Sequence, residues 1–127
     1  MPKLISQKNF QNITVSSLTT TSTDEVALDV FDSDQFRSAR YQIQVTSGGN
    51  YHTVEFIVVH DGSNTYNTEF AIVKTGSSLA SFNSDISGGN IRLLVTPASS
   101  NSTTFKAIRT SINTWHEIIQ AVSRRVE

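Results

Sequence analysis

Apolar residues alternate with polar ones along most of this chain. Val26, Leu28 and Val30 fall in phase, as do Tyr41, Ile43 and Val45 against Gln42, Gln44 and Thr46. A period of two marks a strand with one buried face. The pattern predicts about eight strands: Asn12–Leu18, Glu25–Phe31, Tyr41–Thr46, Tyr51–His60, Thr65–Lys74, Ala80–Ile86, Asn90–Thr96 and Thr103–Ile112. Thr19–Asp24 reads as a Ser/Thr loop and Asp32–Ser38 as a polar, irregular connection.

Glycines punctuate these runs, and Ser47-Gly48-Gly49-Asn50 recurs as Ser87-Gly88-Gly89-Asn90. Glycine adopts positive φ without steric cost, so both repeats read as hairpin turns. The turn at Gly62 is tested by parity. Val54, Phe56 and Val58 share one face; Tyr66, Phe70 and Ile72 share another. Opposed residues point the same way, so both sets face the core only if the loop has odd length. A three-residue loop, Asp61-Gly62-Ser63, opposes Val58 to Tyr66 and Val54 to Phe70. The expected fold class is therefore all-β, an antiparallel β-sandwich, jelly-roll-like.

The ends differ from the middle. Residues 1–10 are aperiodic and read as an arm. Residues 11–112 form the β-domain. Thr114-Trp115-His116-Glu117 is a capping box, with Thr at the N-cap and Glu at N3. Trp115, Ile118, Ile119, Val122 and Val126 follow at helical spacing, which predicts a short amphipathic α-helix over 113–127. Such a helix is marginal alone, so its apolar stripe is expected to pack against the sheets or another subunit.

Composition narrows the function. The chain has 127 residues and a net charge of −1, with no basic stripe for nucleic acid or an anionic membrane. No stretch nears the length of a membrane span, and the first residues carry no apolar signal-peptide core. Without cysteine there is no disulfide framework and no thiolate metal site. Charged residues are only 17%, and Ser and Thr fill much of the polar pattern. That hints at surface covered by a partner.

Candidate chemistry is sparse. His52 and His60 share a strand but stand about 26 Å apart at strand rise, too far for a common metal. His60-Asp61 could be half of a dyad; an Asp capping its own turn is the simpler reading. In the three-residue register Glu55 faces Glu69, which calls for a nearby Arg (Arg40, Arg92 or Arg109), a bound cation or a different register. Asp32-Ser33-Asp34 begins like a calcium loop but lacks the Gly and Glu that complete one. The sequons at Asn12 and Asn101 matter only on a secretory route. No nucleophile elbow, P-loop or zinc-protease motif occurs. Catalytic, cofactor and metal residues are therefore assigned as none. Most aromatics run in phase with aliphatic neighbours and read as core; Tyr51 and Trp115 are the expected exceptions.

Residues 31–112 carry a combination of motifs: Phe36-Arg37-Ser38-Ala39-Arg40-Tyr41, then Thr53 to Gly62, Thr68-Glu69-Phe70, and Asp85-Ile86-Ser87-Gly88-Gly89-Asn90 leading to Pro97. Together they resemble a module of structural proteins of tailed bacteriophages, notably those infecting marine cyanobacteria. The resemblance implies a non-enzymatic virion component assembled in the host cytoplasm. The short length and final helix favour a capsid decoration protein or a small neck or tail appendage subunit. Its partners would be major capsid, neck or tail proteins, and further copies of itself, a trimer among the forms. Trp115, Ile118, Ile119 and Val122 are the expected interface anchors. The rival reading is a carbohydrate-binding module for host attachment.

Overall fold

The computed structural model describes residues 12–114. They form eight strands: β1 (Ile13–Thr20), β2 (Val26–Asp32), β3 (Phe36–Ser47), β4 (Asn50–His60), β5 (Thr65–Lys74), β6 (Ala80–Ser87), β7 (Asn90–Pro97) and β8 (Thr103–Asn113). The all-β class and the strand sequence agree with the alternation. The expected arm, and Trp115, Ile118, Ile119 and Val122 of the expected helix, lie outside the described residues; Asn113, where that helix was expected to begin, ends β8 instead.

Both Ser-Gly-Gly-Asn repeats make the same turn. Ser47 pairs with Asn50 and Ser87 with Asn90. The two glycines between them have φ of 56° and 82° in the first turn, and 58° and 82° in the second. Positive φ at both central positions is the geometry that matches strand twist, and it suits glycine.

One sheet has the order β1-β8-β3-β4-β5 and the other β2-β7-β6, all pairs antiparallel. The two sheets share one core. Ile43, Val45, Val54, Phe56 and Phe105 come from the larger sheet; Leu28, Phe31, Ile91, Leu93 and Val95 come from the smaller. The topology keeps the β1-β8-β3 and β2-β7 neighbours of a jelly roll and departs from it in where β4, β5 and β6 lie. β3, β4 and β5 run as a meander in one sheet, β8 returns beside β3, and β6–β7 is a hairpin of the other.

Three local readings change. β3 starts at Phe36, inside the stretch expected to be irregular, with a register shift between Phe36 and Ser38. A second shift between Ala27 and Asp29 makes Leu28 an extra residue in β2. A bulge reverses the alternation beyond it. Leu28 and Asp29 are both buried, and Val30 turns outward to 46% exposure instead of sharing a face with Leu28.

The third change is the hairpin at Gly62. His60 pairs with Thr65, so the loop is Asp61–Asn64, and Val58 opposes Asn67 rather than Tyr66. The parity test presumed that β5 has a buried face. β5 is an edge strand with hardly any buried surface on either side. Asn67 meets no apolar core; its Nδ2 donates to Ser84 Oγ on β6 at 2.6 Å. Asp61 closes the loop by accepting from the N–H groups of Ser63 (2.9 Å) and Asn64 (2.8 Å). Those bonds hold its carboxyl below the usual range, Asn64 contributing most. The capping role expected for Asp61 is the one observed.

Candidate interaction surface

The β2 bulge carries Asp29 into the interior, where it meets Arg109 of β8. Arg109 donates to Asp29 Oδ2 at 2.7 Å, to Thr14 Oγ1 at 3.1 Å and to Ser111 Oγ at 2.9 Å. Its guanidinium also lies over the rings of Phe31 and Phe36. Ser16 Oγ donates to Asp29 Oδ1 at 2.8 Å, and the Tyr41 hydroxyl to Oδ2 at 2.7 Å. Burial pushes the Tyr41 phenol far above its ordinary value, and the Asp29 charge adds to this. The cluster ties β1, β2, β3 and β8 together. Its carboxylate, guanidinium and phenol are buried, and both carboxylate oxygens are occupied. Its chemistry is that of a satisfied buried ion pair. Asp29 has no distinguishing motif in the sequence, and nothing local marks the bulge that turns it inward.

The expected candidates remain apart. His60 Nδ1 accepts from Gly62 N at 3.0 Å, which leaves Nε2 to donate to the Phe36 carbonyl at 2.8 Å. His52, 2% exposed, accepts from Leu79 N through Nδ1 and meets Phe82 edge to face. Burial lowers its pKa, and Lys74 lowers it further. Glu55 and Glu69 do not face each other. Glu55 opposes Phe70 and Glu69 opposes Phe56, so they lie on opposite faces of the sheet. Glu55 accepts from Arg40 Nε at 2.8 Å. Of the three explanations posed for this pair, an Arg partner for Glu55 and a different register both hold, and the shared cation falls. Asp32 Oδ1 accepts from Asp34 N in a local turn. Among the described residues no three His, Asp or Glu side chains converge as a metal site.

What stands out is the outer face of the five-stranded sheet. The register sets its side chains in rows across the strands. Ile112, Ser38, Val59 and Tyr66 form one row; Ile13, Thr110, Arg40, Ile57 and Thr68 the next; Val15, Ile108, Gln42, Glu55 and Phe70 a third. Ile13, Val15 and Ile112 are 65%, 70% and 70% exposed. Val59, Tyr66, Ile57 and Ile108 are also exposed. Arg40 and Glu55 pair among them, with the Arg40 guanidinium 5.4 Å from the Phe70 ring centre. A shallow hollow of about 410 Å³ opens between Arg40, Gln42, Glu55, Ile108 and Thr110. At strand spacing and rise the face measures roughly 20 Å by 30 Å. That approaches the roughly 800 Å² per partner of a stable protein interface. The signal in the sequence is the unbroken apolar run Phe56-Ile57-Val58-Val59, which supplies both faces of β4. Tyr51, expected to be exposed, is half exposed on this same face.

No family model matches this sequence, and no curated protein does. Solved structures of phage tailspikes align with parts of it. The tailspike protein of Acinetobacter phage vB_ApiP_P1 aligns with a TM-score of 0.53 at 12% identity, over 79% of this chain and 22% of that one. The tailspike of Acinetobacter baumannii phage AM24 aligns at 0.44 and 8% identity, over 80% of this chain and 27% of that one. This chain thus spans only about a fifth of the first tailspike's length. The first alignment shows a shared fold: two antiparallel sheets of the kind that one segment of a phage tail protein adopts.

Proposed function

We propose that this chain is a non-enzymatic structural component of a phage virion, working through protein–protein contacts. Within that class we favour a small tail or neck appendage subunit over a capsid decoration protein, because the fold recurs in a tailspike segment. The observation that carries the reading is the apolar outer face of the five-stranded sheet. Neighbouring exposed apolar residues interleaved with a few polar ones, as here, fit a contact surface. Its occupant would be another virion protein, and the motif resemblance to cyanophage structural modules points the same way. Self-association belongs to the same proposal, as do anchors from Trp115, Ile118, Ile119 and Val122.

A charge placed on the face tests this. Ile57→Glu and Ile108→Glu should leave a folded domain that no longer enters purified particles. Incorporation at the wild-type level would sink the reading. Carbohydrate binding finds less support. The exposed Tyr51 and Tyr66 sit at opposite ends of the sheet, since Tyr66 opposes Val59, eight residues along β4 from Tyr51. That is about 26 Å at strand rise, too far apart for one planar strip.

A further inference from the structure

Among the described residues the two sheets leave four edge strands, and three of them carry protection. β2 has its bulge at Leu28 and two acids, Asp29 and Asp32. β5 carries Glu69 and Lys74, a register shift, and Ala71 at a φ of 53°. β6 carries Asp85, and β5 leans across it through Thr65 and Asn67, which both bond Ser84. Bulges, charges and covering segments are the devices that keep sheet edges from pairing with other chains. β1 touches β2 only through its inner face, where Ser16 bonds Asp29, and among the described residues nothing lies along its outer edge. Ile-Thr-Val-Ser-Ser-Leu-Thr-Thr holds no charge, no proline and no glycine, and its pairing with β8 runs unbroken from Ile13 to Thr20.

The hydrogen-bond phase shows which groups are open. Ser111 N donates to the Asn12 carbonyl at 2.9 Å. Bonding direction alternates along an antiparallel strand. Thr14, Ser16 and Leu18 therefore bond β8, and the N–H and C=O of Ile13, Val15, Ser17 and Thr19 point away from the sheet. Their side chains lie on the outer face beside Ile108.

We infer that β1 is a self-association edge, and that its occupant is the β1 strand of a second copy, antiparallel about a two-fold axis. With Ser16 opposite Ser16, Ile13 of one copy meets Thr19 of the other and Val15 meets Ser17. This register uses every open N–H and C=O of those four residues. It brings no like charges together, because the strand has none. It also keeps both outer faces on one side, so the patch of Ile13, Val15 and Ile108 continues across the axis. The inference does not depend on the virion reading: a failed edge leaves the outer face standing as a contact for other proteins.

The test is sedimentation of the full chain over a range of concentrations, with amide hydrogen exchange read at Val15 and Ser17. The expected result is a dimer in which both amides are protected, and lose protection on dilution. Ser17→Pro removes an N–H that the β1–β8 ladder does not use, so it should give a folded monomer. If that variant fails to fold, Ser17→Lys puts a charge on the same edge and should also yield a monomer. A wild-type monomer at every concentration overturns the inference. So does an oligomer whose Val15 and Ser17 amides exchange freely, or a folded Ser17 variant of unchanged mass. Protected amides in a monomer would give the edge to another segment of the same chain, and also overturn it.

Discussion

Arg109 and Asp29 stand eighty residues apart in sequence and meet at 2.7 Å inside the protein. Each is under a tenth exposed. Removing one partner leaves the other buried and unpaired. Arg109→Met should therefore cost about 3–5 kcal/mol in urea unfolding. Asp29→Leu combined with Arg109→Met should cost less than the two single changes added, since no lone charge remains. Strict additivity would mean that the pair is not coupled.

Tyr41 donates to the same carboxylate. Tyr41→Phe should cost about 1.5–3 kcal/mol, the worth of a hydrogen bond to a charged group. The fold holds this phenol neutral beyond its ordinary value. Its contribution is thus complete below about pH 10 and is lost as pH rises above that. Phenolate absorbance in an alkaline titration should show one tyrosine ionising only with unfolding. That late phase should vanish in Tyr41→Phe.

His52 shifts the other way: burial and Lys74 favour its neutral form. The unfolded chain then takes up a proton more readily than the folded one. Stability is complete above the ordinary histidine value of about 6.5 and falls as pH drops below it. His52→Gln should flatten the loss of melting temperature between pH 7 and pH 5. An unchanged slope would place the acid sensitivity elsewhere.

Much of this architecture was legible in local pattern. Alternation located the strands, and the two Ser-Gly-Gly-Asn turns formed as their glycines require, because both are decided within a few residues. The rest depends on distant ones. The alternation of Val26, Leu28 and Val30 looked unbroken, yet the β2 bulge reversed it and sent Asp29 inward to meet a residue on β8. The hairpin parity failed because a strand's buried face depends on what lies opposite, and β5 projects beyond the core. The outer face was half visible: Ile57 and Val59 break the polar phase of β4, but only the register sets them beside Tyr66, Arg40 and Glu55.

Ala71 sits at a φ of 53° in the β5 irregularity, the one described non-glycine residue with positive φ. That conformation costs about 1–2 kcal/mol for a residue with a Cβ, and a β-branched side chain suffers more. Ala71→Val should lower stability by about 1 kcal/mol or more. Ala71→Gly should be neutral or stabilising, since relief of strain offsets the added chain entropy. The reverse order would argue against the bulge.

The proposed function makes the outer face of the five-stranded sheet a contact surface within a phage particle. A reconstruction of the virion at side-chain resolution tests it most directly. The expected result is density for this fold with Ile57, Val59 and Ile108 covered by another virion protein. A particle that lacks the chain, or one in which that face looks onto bare solvent, would contradict it.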